Sequence, residues 1–276
     1  KTKVERRMLN PKSSDKFFYK TYLDKLNDTL SSMAAIQMEQ QTQEQAFGMM
    51  FWGNSSVGKS WIAPQLIQWL LKNNHYPDAN ANIITYNTNS KYDDQVRNNT
   101  YGILLDDLAN GKVGKGASDN RRTSDLVIAL INNVAQAAVK ADLAEKGKVL
   151  MRPKIVLATT NNRELNAGVE SHNQASVRRR FKYEVEFVVK DEYCLEGGST
   201  ELDPEKVKES FPGSPFPDVW KLFVTKCFIV DKGKTSGKGY EMKVVKSKSR
   251  NDWMNMQEFL EFCKTESEKH FSSEKE

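Results

Sequence analysis

One octapeptide restricts the folds open to this chain more than any other stretch: Gly53-Asn54-Ser55-Ser56-Val57-Gly58-Lys59-Ser60. It fits G-x-x-x-x-G-K-[ST] and follows the short apolar run Phe47 to Trp52. A helix is predicted after it, from Lys59 to Lys72. Strand, glycine-bounded loop and helix N-terminus is the context in which the motif has physical meaning. Glycines let the backbone curl, and the loop amides and helix dipole then face an anion. Lys59 reaches the β- and γ-phosphates of a nucleotide, and Ser60 ligates Mg²⁺. Pro64 conflicts with this reading, because it removes a backbone donor one turn into the helix; a kink or shifted start is expected there.

Further runs alternate with helical patterns. Asn82 to Tyr86 reads as a strand. Tyr101 to Leu105 and Lys154 to Thr159 are continuous apolar runs and read as buried strands. Thr123 to Lys140 has helical period. Tyr183 to Val189 alternates and reads as a half-exposed strand. Strands alternating with helices predict an α/β fold with a mainly parallel sheet covered on both faces.

Three more elements fit the phosphate site. The strand Ile103-Leu104-Leu105 ends in Asp106-Asp107. Asp106 is the expected Mg²⁺ ligand, direct or through water, and Asp107 the general base that polarises water. The run Ala158-Thr159-Thr160-Asn161-Asn162 ends the next strand, and Asn161 is placed to hold the lytic water or the γ-phosphate. Arg178-Arg179-Arg180 precede Phe181. Unpaired burial of three arginines is too costly, so they form a solvated face or supply a finger to a phosphate.

Before this unit, Lys1 to Ser14 is basic and polar. Ser14 or Asp15 caps a predicted helix to about Gln45, with apolar positions Phe18, Tyr22, Leu26, Leu30, Met33 and Ile36. After it, Glu196 to Pro217 reads as a loop-rich connector. Leu222 to Val230 and Tyr240 to Val245 suggest a hairpin, and Asp252 to Phe271 an amphipathic closing helix. The division is 1–45 tail and helix, 46–190 core, and 191–276 connector, hairpin and helix. The chain begins at Lys1 rather than Met, so we read it as part of something larger.

No apolar stretch is long enough for a membrane-spanning helix. Cys194, Cys227 and Cys263 lack zinc or disulfide-framework spacing, and no zinc is predicted. Net charge is only +5, but Lys221 to Arg250 holds nine basic residues against Asp231 and Glu241. A basic loop spans Gly111 to Ser124, with Lys112, Lys115, Arg121 and Arg122. Such segments follow a phosphate backbone without reading sequence. For the hairpin, RNA and an anionic membrane surface stay open.

Four stretches, GNSSVGKS, SKYDDQ…YGILLDDL, ADLAEKGK…KIVLATTNNREL and ASVRRRF, together resemble the superfamily 3 helicases, a branch of the AAA+ ATPases. The nearest likeness is to the replication ATPase/helicase of picornaviruses and picorna-like positive-strand RNA viruses, over about Phe47 to Val189. The resemblance implies an AAA+ core with five strands in the order 5-1-4-3-2. It implies ATP and Mg²⁺ as cofactors, and a homo-oligomeric, commonly hexameric ring with ATP between neighbours. Arg179 and Arg180 would act in trans. Ala141 to Lys148 would project toward the pore, with Lys146 and Lys148 as contacts to single-stranded RNA. Location at membrane-associated replication sites in the host cytoplasm, with other viral replication proteins, is implied too.

The chain departs from the family at Ser55-Ser56, where picornaviral loops usually carry Pro-Gly. The family's amphipathic membrane-binding segment at the N-terminus is not visible. In the enteroviral branch a closing helix docks a terminal aromatic into a neighbour; Phe271 stands in that position, or the helix packs on its own core. Two other readings compete with an RNA-remodelling ATPase: an ATP-driven scaffold or RNA-binding protein without unwinding, and a DNA replication-initiator helicase of a small DNA virus.

Overall fold

The computed structural model describes residues 16–39, 43–88, 90–109, 122–134, 136–143, 145–165, 174–231, 238–247 and 252–274. In chain order the elements are α1 (Lys16–Glu39), β1 (Phe47–Trp52), α2 (Lys59–Asn73), β2 (Ile83–Thr85), β3 (Gly102–Leu105), α3 (Thr123–Leu130), β4 (Gln136–Ala137), β5 (Leu150–Met151), β6 (Ile155–Thr160), α4 (Gln174–Arg178), β7 (Tyr183–Val189), α5 (Pro204–Ser210), β8 (Trp220–Asp231), β9 (Lys238–Val244), β10 (Trp253–Met254) and α6 (Met256–Ser273).

Five strands lie parallel in the order β7-β1-β6-β3-β2. β1, β3 and β6 are buried almost throughout, as expected of strands covered on both faces. One apolar cluster unites Phe47, Phe51, Leu66, Leu157, Val185, Trp220 and Phe259; a second gathers Met50, Ile103, Leu105, Val127, Val156 and Phe181. The mixed α/β sandwich follows from those strands, because each face must be covered by apolar helix surface.

The sheet does not stop at residue 190. β8 pairs antiparallel with all of β7 through Trp220–Lys226, and also carries β10 and β9. Among the described residues this makes one eight-stranded sheet rather than a five-stranded sheet beside a separate hairpin. α6 starts at a capping box made by Asn255 and Glu258. Its Phe259, Cys263 and Phe271 are buried in the first cluster. Phe271 sits edge-on to Tyr76 at 5.1 Å, so in this chain it packs on its own core.

Three local expectations are corrected. The helix expected from Thr123 to Lys140 ends at Leu130. Beyond it, β4 pairs antiparallel with β5 and forms a two-stranded ribbon. Ribbon pairing and a bond from the Val139 N–H to Asp93 Oδ2 (2.8 Å) override the helical preference of the Ala-rich run. β7 alternates as expected at Glu186 and Val188, which are partly exposed between buried Val185, Phe187 and Val189, but Glu184 departs from the pattern and is completely buried. The N-terminal helix is described over Lys16–Glu39 and residues 43–46 are not helical, so it does not extend to Gln45, and Tyr22 and Met33 of its predicted apolar stripe lie exposed. α2, in contrast, starts at Lys59 and runs through Pro64.

Candidate nucleotide site

The loop leaves the carboxyl end of β1 as the motif predicts. Gly53 (φ 146°) and Gly58 (φ 88°) occupy left-handed conformations. A Cβ at Gly53 would meet the Phe187 carbonyl at 2.7 Å, and one at Gly58 would meet Leu202 and Trp220 at 2.9 and 3.0 Å. Conformation and space both require glycine there. Gly58 is the N-cap of α2 and makes no side-chain cap bond, which suits an anion at that helix end. Ser56 (φ 60°) adds a second tight bend.

Lys59 folds back over the loop. Its ammonium donates to the carbonyls of Gly53 (3.0 Å) and Asn54 (2.6 Å) and to Asn161 Oδ1 (2.9 Å). Burial lowers its pKa, and the charges of Asp107 and Asp106 oppose that shift. The three acceptors match the three donors of an ammonium.

Ser60 donates to Asp106 Oδ1 at 2.6 Å. Thr159, buried on β6, donates to the same oxygen at 2.6 Å. Thr159 Oγ1 also accepts the Asp107 N–H at 3.0 Å, where Asp107 turns at φ 50°. Asp107 itself is exposed. Asn161 follows Thr160, whose hydroxyl donates to the Leu108 carbonyl (2.7 Å) and ties the ends of β6 and β3 together. Parallel pairing of β1, β6 and β3 therefore brings Lys59, Ser60, Asp106 and Asn161 together at the carboxyl end of the sheet.

The arginine triplet divides. Arg178 is buried and meets Glu184 at 2.5 Å and Glu164 at 3.0 Å, while donating to the Arg163 carbonyl at 2.9 Å. Arg163 reaches the same Glu184 at 3.1 Å and stacks its guanidinium over Trp52 at 4.8 Å. Burial raises the Glu184 pKa, and Arg178 and Arg163 counter it. This ion-pair group, buried at Arg178 and Glu184, anchors α4 to β7 and to the end of β6. Arg179 is exposed; Arg180 is half-buried and donates to Asn132 Oδ1 at 3.4 Å. The Arg180 carbonyl lies against Gly48, near the amino end of β1, whereas the phosphate loop follows its carboxyl end. At about 3.3 Å per residue, roughly 15 Å of strand separates them.

Lys146 and Lys148 lie between β4 and β5 at the ribbon tip, Lys146 exposed and Lys148 half-exposed. Asp94 and Asn98 hold the ribbon through Ala141 N (3.0 Å) and Leu150 N (3.1 Å). Lys140 buries its ammonium on the Asp94 and Val96 carbonyls at 3.1 and 2.6 Å. Arg122 is exposed at the start of α3. Lys112, Lys115 and Arg121 lie outside the described residues, as do Lys232, Lys234, Lys248 and Arg250 of the basic hairpin segment.

Several contributors are not apparent from the motifs. Trp220, wholly buried, donates Nε1–H to the Val57 carbonyl at 2.6 Å. The connector lies on the loop: Leu202 N–H donates to the Ser56 carbonyl (3.0 Å), and Asn54 Nδ2 donates to Thr200 Oγ1 (3.2 Å). Thr159 was legible as a polar strand end, but its partner was not. Glu184 reads as a solvent-facing residue in an alternating strand, and only the nearby arginines hint otherwise.

A parallel sheet with a glycine-cradled lysine and serine at one strand end, and a carboxylate and a polar amide at its neighbours, defines a P-loop nucleotide site. Residues 49–162 match the RNA helicase family. That stretch runs from β1 to just past β6 and holds the loop, Asp106 and Asn161, and the match supports the likeness to the superfamily 3 helicase domain of RNA viruses. No curated protein matches the chain.

Proposed function

We propose that this chain hydrolyses ATP with Mg²⁺ and couples hydrolysis to remodelling of, or translocation on, single-stranded RNA. The carrying observation is the convergence of Lys59, Ser60, Asp106 and Asn161 on one loop. The glycine cradle suits a triphosphate. A hydroxyl and a carboxylate 2.6 Å apart are hard oxygen donors that would suit Mg²⁺.

In this reading Lys59 trades its bonds to Gly53, Asn54 and Asn161 for phosphate oxygens. Ser60 and Asp106 would hold Mg²⁺, which when bound would supply positive charge against the phosphates. Asp107, exposed beside them, takes the proton of the attacking water, and Asn161 orients that water or the γ-phosphate. Arg179 and Arg180 stabilise the transferring phosphoryl group of a neighbouring copy. Their separation from their own loop supports action in trans within a homo-oligomeric, commonly hexameric ring.

Lys146 and Lys148 at the ribbon tip are the proposed RNA contacts. Arg122 and the basic loop it ends are a second candidate. The match to a domain of RNA viruses favours RNA over the DNA-initiator reading. From the resemblance to the picorna-like AAA+ pattern we propose that the chain acts with other viral replication proteins at membrane-associated sites in the host cytoplasm.

The test is ATP turnover by Lys59→Ala, with and without single-stranded RNA. Loss of roughly 100-fold or more is expected, by analogy with removal of one donor from a charged transition state. A variant that turns over ATP normally would remove the proposal.

A further inference from the structure

The groups that would face the γ-phosphate lie on one flank of the loop. Ser60 leans to Asp106 on β3, and Lys59 to Asn161 after β6. In the sheet, β7 and β8 lie on the other side of β1. Successive helical residues turn by roughly 100°, so Trp61 is carried away from Ser60. Its ring approaches Trp220 of β8, with centroids 6.2 Å apart and planes tilted by 38°. Trp220 in turn holds the Val57 carbonyl and closes over Gly58.

Trp61 is 47% exposed, while Ile62 and Ala63 beside it are 1% and 0% exposed. The helix therefore buries its neighbours but leaves a large π-surface open beside the phosphate loop. Asn54 and Thr200, bonded at 3.2 Å, add a polar edge contributed by the loop and the connector. A triphosphate seated with its γ end toward Asp106 and Asn161 directs its nucleoside to the opposite flank.

We infer that Trp61 is the base platform of the site: the purine of a nucleoside triphosphate stacks on its exposed face. The inference rests on the phosphate-site reading above. Trp220 backs the indole, so a base meets a supported ring rather than a mobile side chain. Stacking responds to ring area and not to hydrogen-bond pattern. Purines are then favoured over pyrimidines, with weak discrimination between ATP and GTP.

The experiment is calorimetric titration of the full chain, with Mg²⁺, using a non-hydrolysable ATP analogue and, separately, tripolyphosphate. Trp61→Ala is expected to weaken the analogue roughly tenfold, as loss of one base–aromatic stack does, and to leave tripolyphosphate unchanged. Trp61→Phe should retain most of the affinity. The purine preference of the unsubstituted chain should vanish in Trp61→Ala.

Equal weakening of both ligands, or of neither, would overturn the platform. So would loss of oligomer in Trp61→Ala with purine preference intact, which would place the indole in a contact between copies. If the unsubstituted chain binds neither tripolyphosphate nor nucleotide, and Lys59→Ala changes nothing, the phosphate site itself fails and the platform with it.

Discussion

At Thr159 a single hydroxyl serves both acids of the site. It donates to Asp106 Oδ1 and accepts the Asp107 N–H, at 2.6 and 3.0 Å. It therefore aims the carboxylate and fixes the backbone turn that exposes Asp107. Thr159→Val keeps the shape and removes both bonds. Turnover should fall roughly 10–100-fold, as with other groups that orient a metal ligand. Half-saturation should need more Mg²⁺, and stability should drop by about 1–3 kcal/mol for the unmet polar groups. A Mg²⁺ titration of ATP turnover beside a thermal melt checks this; an unchanged Mg²⁺ curve would show that Ser60 alone orients Asp106.

The closing helix α6 shows how an element can carry pH dependence. His270 is buried near its end, edge-on to Phe47 and Phe271, with Nε2 bonded to the Gln45 carbonyl at 2.8 Å. Burial lowers its pKa below 6.5; Lys182 adds to that, while the Gln45 bond, Glu274 and Glu44 oppose it. A lowered folded-state pKa means stability is present above 6.5 and is lost as pH falls through 6.5 toward the folded value. Melting temperature should therefore decline from about pH 7 to about pH 5, and His270→Gln should flatten that decline. Parallel curves for the two proteins would assign the acid sensitivity elsewhere. The same helix end binds the entrance to β1, since Glu274 accepts the Gln45 N–H at 2.8 Å.

For the molecule as a whole, the C-terminal third is part of the nucleotide site. β8 extends the sheet, Trp220 grips the loop from beneath, and the connector crosses it at Leu202 and Thr200. Arg180 begins beside Gly48, toward the opposite end of β1 from the loop, and under the proposal above the site is completed between copies. Mixing Lys59→Ala chains with Arg179→Ala/Arg180→Ala chains should then restore activity that neither has alone. At equal mixing about one interface in four unites an intact loop with intact arginines, which sets the expected recovery at up to about a quarter of the normal rate. Absence of recovery in rings shown to contain both chains would mean that the arginines act elsewhere.

The phosphate loop, the acids after β3 and the polar end of β6 were legible because their chemistry is local. Glycines must occupy left-handed turns, and a lysine and a serine must open the helix. Buried strands also declare themselves by continuous apolar runs. The ribbon after α3 was not legible, because Ala-rich propensity competes there with partners at Asp93 and Asp94. Nor was Glu184, whose burial depends on Arg163 and Arg178 converging across the sheet. Trp220 lies 163 residues from the carbonyl it binds. The amino-acid sequence alone determined the loop, its residue types and the order of the elements, since those follow from local backbone geometry and the spacing of apolar residues. Only the tertiary structure decided which arginine is buried, which hydroxyl aims Asp106 and which tryptophan stays open to a base. Those are contacts between distant segments, and they exist only once the sheet has assembled.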